Sequence, residues 1–100
     1  MEENQEVIVM FESDLEGNGP RDLANLLLAK GTKVAAVFAG TDGNYRYVIG
    51  SKSIDTRVIA KAINEKFHGR GGGKPDMVQG SVIGEEICVR EEVLACIKRI

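Results

Sequence analysis

The stretch Gly69-Arg70-Gly71-Gly72-Gly73-Lys74-Pro75-Asp76-Met77 decides how the rest of this chain is read: it carries almost no side-chain bulk and two cations. Glycine reaches positive φ without a steric penalty. Successive N–H groups of Gly71, Gly72 and Gly73 can therefore converge on an anion, with Arg70 and Lys74 at the rim. The run reads as a glycine-rich phosphate-binding loop, the alternative being a solvated loop with no ligand. His68, the only histidine, precedes it and is placed to help hold a phosphate as a cation or donor.

Charge supports the phosphate reading. The net charge is only −2, but residues 1–16 hold six acids and no base. Residues 44–75 hold Arg46, Lys52, Arg57, Lys61, Lys66, Arg70 and Lys74 against Asp55 and Glu65. A basic block around the glycine run steers a polyanion to one face, although such residues can equally be a solvated helix surface. Lys66, Lys61 and Arg46 extend the track that Arg70 and Lys74 begin.

Upstream of the run, Asp55 is a suitable N-cap for a helix to about Phe67. Its apolar stripe is Val58, Ile59, Ala62, Ile63 and Phe67. The continuous apolar run 33–39, bounded by Gly31 and Gly40, predicts a central strand covered on both faces. Turn residues at 40–44 and a second strand from Tyr45 to Ile49 make a hairpin with it. Tyr45 and Tyr47 share a strand face and either stack a splayed base or cover a helix. Residues 6–11 predict a further strand inside the sheet. Asn18-Gly19-Pro20 opens a helix that Gly31 closes. Downstream, residues 90–100 fit a last helix, acidic at its start and basic at its end. Residues 81–89 fit either short extended pieces or a frayed start of that helix. The fold class is α/β: one small domain with a mixed sheet of at least three strands, in the order β-α-β-β-α-Gly loop-α. Residues 1–5 are expected to be a disordered start and 6–100 the domain.

Other functions find little support. One hundred residues make one core with no room for a second catalytic unit. No apolar run approaches the length of a membrane span, and the cytoplasm is the expected location. Cys88 and Cys96 have no ligand spacing for zinc and read as reduced, small apolar residues. No nucleophile-elbow context surrounds a serine, and Asp14, Glu16 and Asp42 read as turn formers. No catalytic residue, metal ligand or cofactor site is expected. Asp76 reads as a turn cap and Met77 as an anchor.

The longer string from His68 to Gly80, with Phe38-Ala39-Gly40, Tyr45-Arg46-Tyr47-Val48-Ile49-Gly50 and the Asp55-led helix, resembles the DHHA1 domain family over roughly residues 7–80. That domain is the C-terminal module of alanyl-tRNA synthetases and alanyl-tRNA editing proteins and, in a divergent form, of DHH-type oligonucleotide phosphodiesterases. The resemblance implies a non-catalytic tRNA-binding domain. Its partners would be tRNA, alanine-specific by implication, and the catalytic domain of the same parent chain, whose activity would be hydrolysis of mischarged tRNA or alanine–tRNA ligation. The alternatives are a self-association module, with Val82, Ile83 and Ile87 as the exposed apolar residues of a homodimer, and the substrate-binding half of a phosphodiesterase.

Overall fold

Val7–Glu12 (β1), Gly19–Ala29 (α1), Val34–Thr41 (β2), Asn44–Ser51 (β3), Thr56–Lys66 (α2), Arg70–Lys74 (β4), Met77–Ile83 (β5) and Glu86–Arg99 (α3) follow one another in the computed structural model. The structure describes residues 7–12, 19–41, 43–52 and 54–99. The expected disordered start, the turn acids Asp14, Glu16 and Asp42, and Asn18 lie outside these residues. The strands form one mixed sheet in the order β1-β2-β3-β5-β4; β1 runs parallel to β2 and the other neighbouring pairs are antiparallel.

Strand alternation divides the interior into two layers. Ala35 and Val37 of β2 and Val48 of β3 pack with Ala24 and Leu28 of α1. The intervening residues Val34, Ala36, Phe38, Tyr45, Tyr47 and Ile49, with Val78 and Val82 of β5, pack against Ile59, Ile63 and Phe67 of α2 and Val89, Val93 and Cys96 of α3. β2 is covered on both faces, as its apolar run requires. Among the described residues neither cysteine is in a disulfide; Cys88 is exposed and Cys96 buried.

Several expectations are corrected. β1 lies at the sheet edge, half-buried, because among the described residues it pairs with β2 alone; Phe11 holds it there by stacking on Phe38 at 4.6 Å between ring centroids. The middle strand is β3 rather than β2, because β5 and β4 extend the sheet beyond it; residues 81–83, which fit a short extended piece, are the end of β5. α3 begins at Glu86, not near 90, and absorbs Ile87 to Val89. Val58 is 49% exposed and Ala60 is buried instead, while Ile59, Ile63 and Phe67 stay inward, so the α2 stripe is turned by roughly a fifth of a turn. Val82 is buried, leaving Ile83 and Ile87 as the exposed members of the trio.

The largest correction concerns the glycine run, which is an edge strand and not a loop. Pro75 and Asp76 form a two-residue turn, and Lys74 pairs with Met77 to close the hairpin. Glycine is poor in strands, so the neighbours must supply the order. Gly71, Gly80 of β5 and Tyr47 of β3 lie in one cross-sheet row. A Cβ on Gly71 would strike the carbonyl of Gln79 and come within 2.8 Å of the Tyr47 hydroxyl; one on Gly80 would strike the carbonyl of Arg70. The Tyr47 side chain thus takes space that two missing side chains leave.

Gly71 also has φ 151°, where an L side chain is strained, whereas a Cβ on Gly72 meets nothing within 4 Å. Gly71→Ala is expected to lower stability by about 2–4 kcal/mol. Gly72→Ala is expected to change it by less than about 0.5 kcal/mol. Urea midpoints of the two variants check this, and equal losses would contradict the assigned register.

Candidate nucleic-acid interface

Four contacts fix the β4–β5 hairpin against the body. The Thr56 N–H donates to the Pro75 carbonyl at 2.8 Å, and the Thr56 hydroxyl donates to the same oxygen at 2.9 Å. The Ser51 N–H donates to the Asp76 carbonyl at 2.9 Å. Asn64 of α2 accepts from the Tyr47 hydroxyl at 3.0 Å and points its amide at the Gly71 carbonyl, 3.4 Å away. Thr56 is fully buried at the head of α2, where Asp55 caps the helix by accepting from the Arg57 N–H at 3.0 Å. Hydrogen bonding from the Arg57 side chain holds the Asp55 carboxyl below the usual carboxylate range. The turn, the start of α2 and the end of β3 are therefore one joint.

α1 packs on β2 and β3 and leaves the same face of β5 and β4 uncovered. Arg46, Ser81 and Arg70 form one cross-sheet row on that open face; Gly72 and Gln79 are neighbours in the next, Lys74 and Met77 in the one beyond. A cleft of about 420 Å³ runs between α1 and the hairpin, bounded by Arg21, Asn25, Leu28, Lys52, Gly72, Lys74, Asp76, Met77 and Gln79. A smaller one of about 230 Å³ continues it past Arg21 and Gln79 to Arg46. Four cations and one carboxylate line the joined clefts.

Among the described residues, three cations of the α2 and α3 layer are engaged by acids, while Lys61 of α2 is in no ion pair. In the α2 and α3 layer Arg57 pairs with Asp55 at 2.8 Å, Lys66 with Glu92 at 3.1 Å and Arg90 with Glu86 at 3.0 Å. Lys66 also lies 5.9 Å from the Phe67 ring centroid. Among the described residues no ion pair engages Arg21, Arg46, Lys52, Arg70 or Lys74. A free cation on an open face keeps its whole field for a ligand.

The structure therefore brings Arg46, Arg70 and Lys74 together on the α1 side. Lys61 lies on α2, beside a separate cleft of about 420 Å³ shared with Arg57, Asn64 and the opposite face of β4. Lys66 belongs to that layer too. His68 is exposed with φ 53° in the turn after α2, next to Gly69, whose N–H donates to the Asn64 carbonyl at 2.9 Å. Gly71 and Gly73 face α2, and Gly72 faces the α1 cleft. The N–H groups of an extended strand alternate in direction, so they do not form the concavity that a loop would. Tyr45 and Tyr47 are buried and cover helices, which excludes base stacking on them. The cleft also brings in Arg21, Asn25 and Gln79, which the sequence does not single out, and Lys52, which it places only in the basic block. The i, i+4 spacing of Arg21 and Asn25 was visible in the sequence, but their relation to the hairpin follows only once 70–74 is a strand.

The chain is thus a small α/β module in which an antiparallel hairpin extends a β-α-β-β core and leaves a cation-lined face open beside it. The DHHA1 domain model matches residues 4–99, and the chain belongs to that family. No curated protein matches significantly. In fold, the chain is similar to the C-Ala domain of Aquifex aeolicus alanyl-tRNA synthetase, with a TM-score of 0.71 and 23% identity over 98% of this chain and 94% of that one. Among the described residues no group of His, Cys, Asp and Glu could hold a metal ion, and no helix is long and apolar enough to cross a membrane.

The Tyr47–Asn64 bridge gives a paired prediction. Tyr47 is 1% exposed, so Asn64→Ala leaves a buried hydroxyl without its partner and is expected to cost about 1–3 kcal/mol; Tyr47→Phe, which removes that hydroxyl, is expected to cost about 0.5–1.5 kcal/mol. Burial raises the Tyr47 phenol above its ordinary 10.0. The unfolded chain then loses the proton first. Stability from this group is full below that value and falls as pH rises through it towards the higher folded value. Urea midpoints at pH 8 and above 10 should show a smaller alkaline loss in Tyr47→Phe than in the native chain.

Proposed function

We propose that this DHHA1 domain is a non-catalytic tRNA-binding module of an alanyl-tRNA synthetase or alanyl-tRNA editing protein, working in the cytoplasm beside a catalytic domain of the same parent. The observation that carries this reading is the set of unpaired cations on the open face around the β4–β5 hairpin. Family membership supports it, as does the likeness to a domain of a synthetase that acts on tRNA. Arg46, Arg70 and Lys74 contact phosphates, joined by Arg21 and Lys52; the bare backbone of Gly71 to Gly73 lets the polyanion approach the sheet edge. Lys61, Lys66 and His68 lie off this track, and Lys66 is already engaged by Glu92.

Contacts to a few phosphates give an affinity on the order of 10⁻⁴ to 10⁻⁶ M at physiological salt. Titration of alanine-specific and unrelated tRNA at several salt concentrations tests the reading. The Arg70→Ala/Lys74→Ala variant is expected to bind both tRNAs more weakly and to flatten the salt slope by roughly two phosphate contacts, with the fold intact. A native chain that shows no salt-dependent affinity for either tRNA would refute it.

Self-association is the second reading, favoured by the exposure of Ile83 (60%) and Ile87 (68%) on either side of Gly84. Its signature is a concentration-dependent sedimentation coefficient that Ile87→Ser removes.

A further inference from the structure

The fold accounts for two of the three consecutive glycines in β4 and not for the third. Gly71 and Gly73 have φ of 151° and 157°, and a Cβ on either would meet the backbone of β5. Gly72 has neither constraint, and a side chain there would stand in open space. That space is the cleft between α1 and the hairpin. We propose that this cleft holds one unstacked nucleotide of a bound RNA, and that Gly72 is bare so that the base can lie against the strand. The proposal rests on the RNA-binding reading and adds to it a base-sized pocket.

The lining suits a nucleotide. At about 420 Å³ the cleft is within the usual size range of small-molecule sites. Its inner wall is apolar, formed by Leu28 and Met77, which crowd together over Gly50: a Cβ on Gly50 would come within 2.9 Å of both side chains. Gln79, the cross-strand neighbour of Gly72, and Asn25 of α1 each present a carboxamide, which carries donors and an acceptor suited to a base edge. Arg21, Lys52 and Lys74 stand around the rim for the flanking phosphates. Asp76, the one carboxylate among the lining residues, repels a phosphate and is suited to accept a sugar hydroxyl. An apolar wall, two carboxamides and a cationic rim match the way proteins read single-stranded or looped RNA, where splayed bases are accessible. The cleft on the α2 side, of equal volume, differs in its lining. Arg57 there is paired with Asp55, and the one carboxamide, Asn64, is engaged by Tyr47 and the Gly71 carbonyl. Lys61 stands beside Glu65, with Ala60 as the apolar residue.

The test compares a ten-nucleotide single-stranded RNA with an abasic ribose-phosphate oligomer of equal length and charge, each titrated into the native chain, Gly72→Leu and Gln79→Ala. The native chain should prefer the RNA by about tenfold, the worth of one well-made set of base contacts. Gly72→Leu fills the cleft without disturbing the fold and should remove that preference while leaving abasic binding within about twofold. Gln79→Ala should weaken the preference in the same sense. If the native chain binds both oligomers equally, or if folded Gly72→Leu keeps the preference, the nucleotide pocket is overturned and the polyanion track stands. If neither oligomer binds, both readings fall.

Discussion

The Tyr47 side chain, lying across the positions of Gly80 and Gly71 with its hydroxyl on Asn64, is the contact on which the order of the β4–β5 hairpin depends. A strand of sequence Arg-Gly-Gly-Gly-Lys has nothing to bury and a high conformational entropy to lose. It is ordered because three things converge on it: the β5 backbone, the Tyr47 ring fitted against it, and the head of α2 holding the Pro75-Asp76 turn through Thr56. The glycines let tyrosine and helix approach more closely than any side chain would permit. The helix in turn hides the tyrosine. Burial that would be costly for an unpaired phenol is offset by Asn64, which also reaches for the strand it holds in place.

This construction leaves the hairpin with two unlike faces. Towards α2, Tyr47 and Asn64 lie against Gly71 and Gly80, a cleft beside Lys61 remains along the strand, and Arg57, Lys66 and Arg90 are paired with neighbouring acids. Towards α1, the helix stops short and the sheet is open. Arg46 and Arg70 stand in one row there and Lys74 four residues further along the edge. The separation is a direct consequence of strand alternation, because a residue-by-residue switch of face sends Gly71 and Gly73 to the packed side and Gly72 to the open one. One three-residue run thus serves the fold at two positions and exposes a ligand-sized space at the third.

The core of the domain was legible in the sequence. The apolar run of β2, the hairpin to β3, the leucine-rich α1 and the Asp55 cap of α2 each carry a local signal, and the DHHA1 resemblance of residues 68–80 pointed to the family. The glycine run was misread as a loop because its order comes from partners far away in the chain. Tyr47 is 24 residues from Gly71. No local pattern in Arg70 to Lys74 distinguishes a strand held from outside from a flexible turn. With the run taken as a loop, Lys61, Lys66 and Arg46 look like one track, whereas the sheet lies between Arg46 and the two lysines. Arg21, Asn25 and Gln79 went unnoticed for the same reason, since their meeting depends on β4 extending the sheet beside α1.

Amide chemical-shift mapping with a short single-stranded RNA tests most directly whether the α1 side of the hairpin is the binding face. The account predicts that saturating RNA moves the resonances of Arg21, Asn25, Gly72, Lys74 and Gln79 while those along the outer side of α2, Arg57, Lys61 and Glu65, stay in place. Shifts concentrated on α2 with an unperturbed α1 cleft would contradict it and assign the RNA to the opposite side of the sheet.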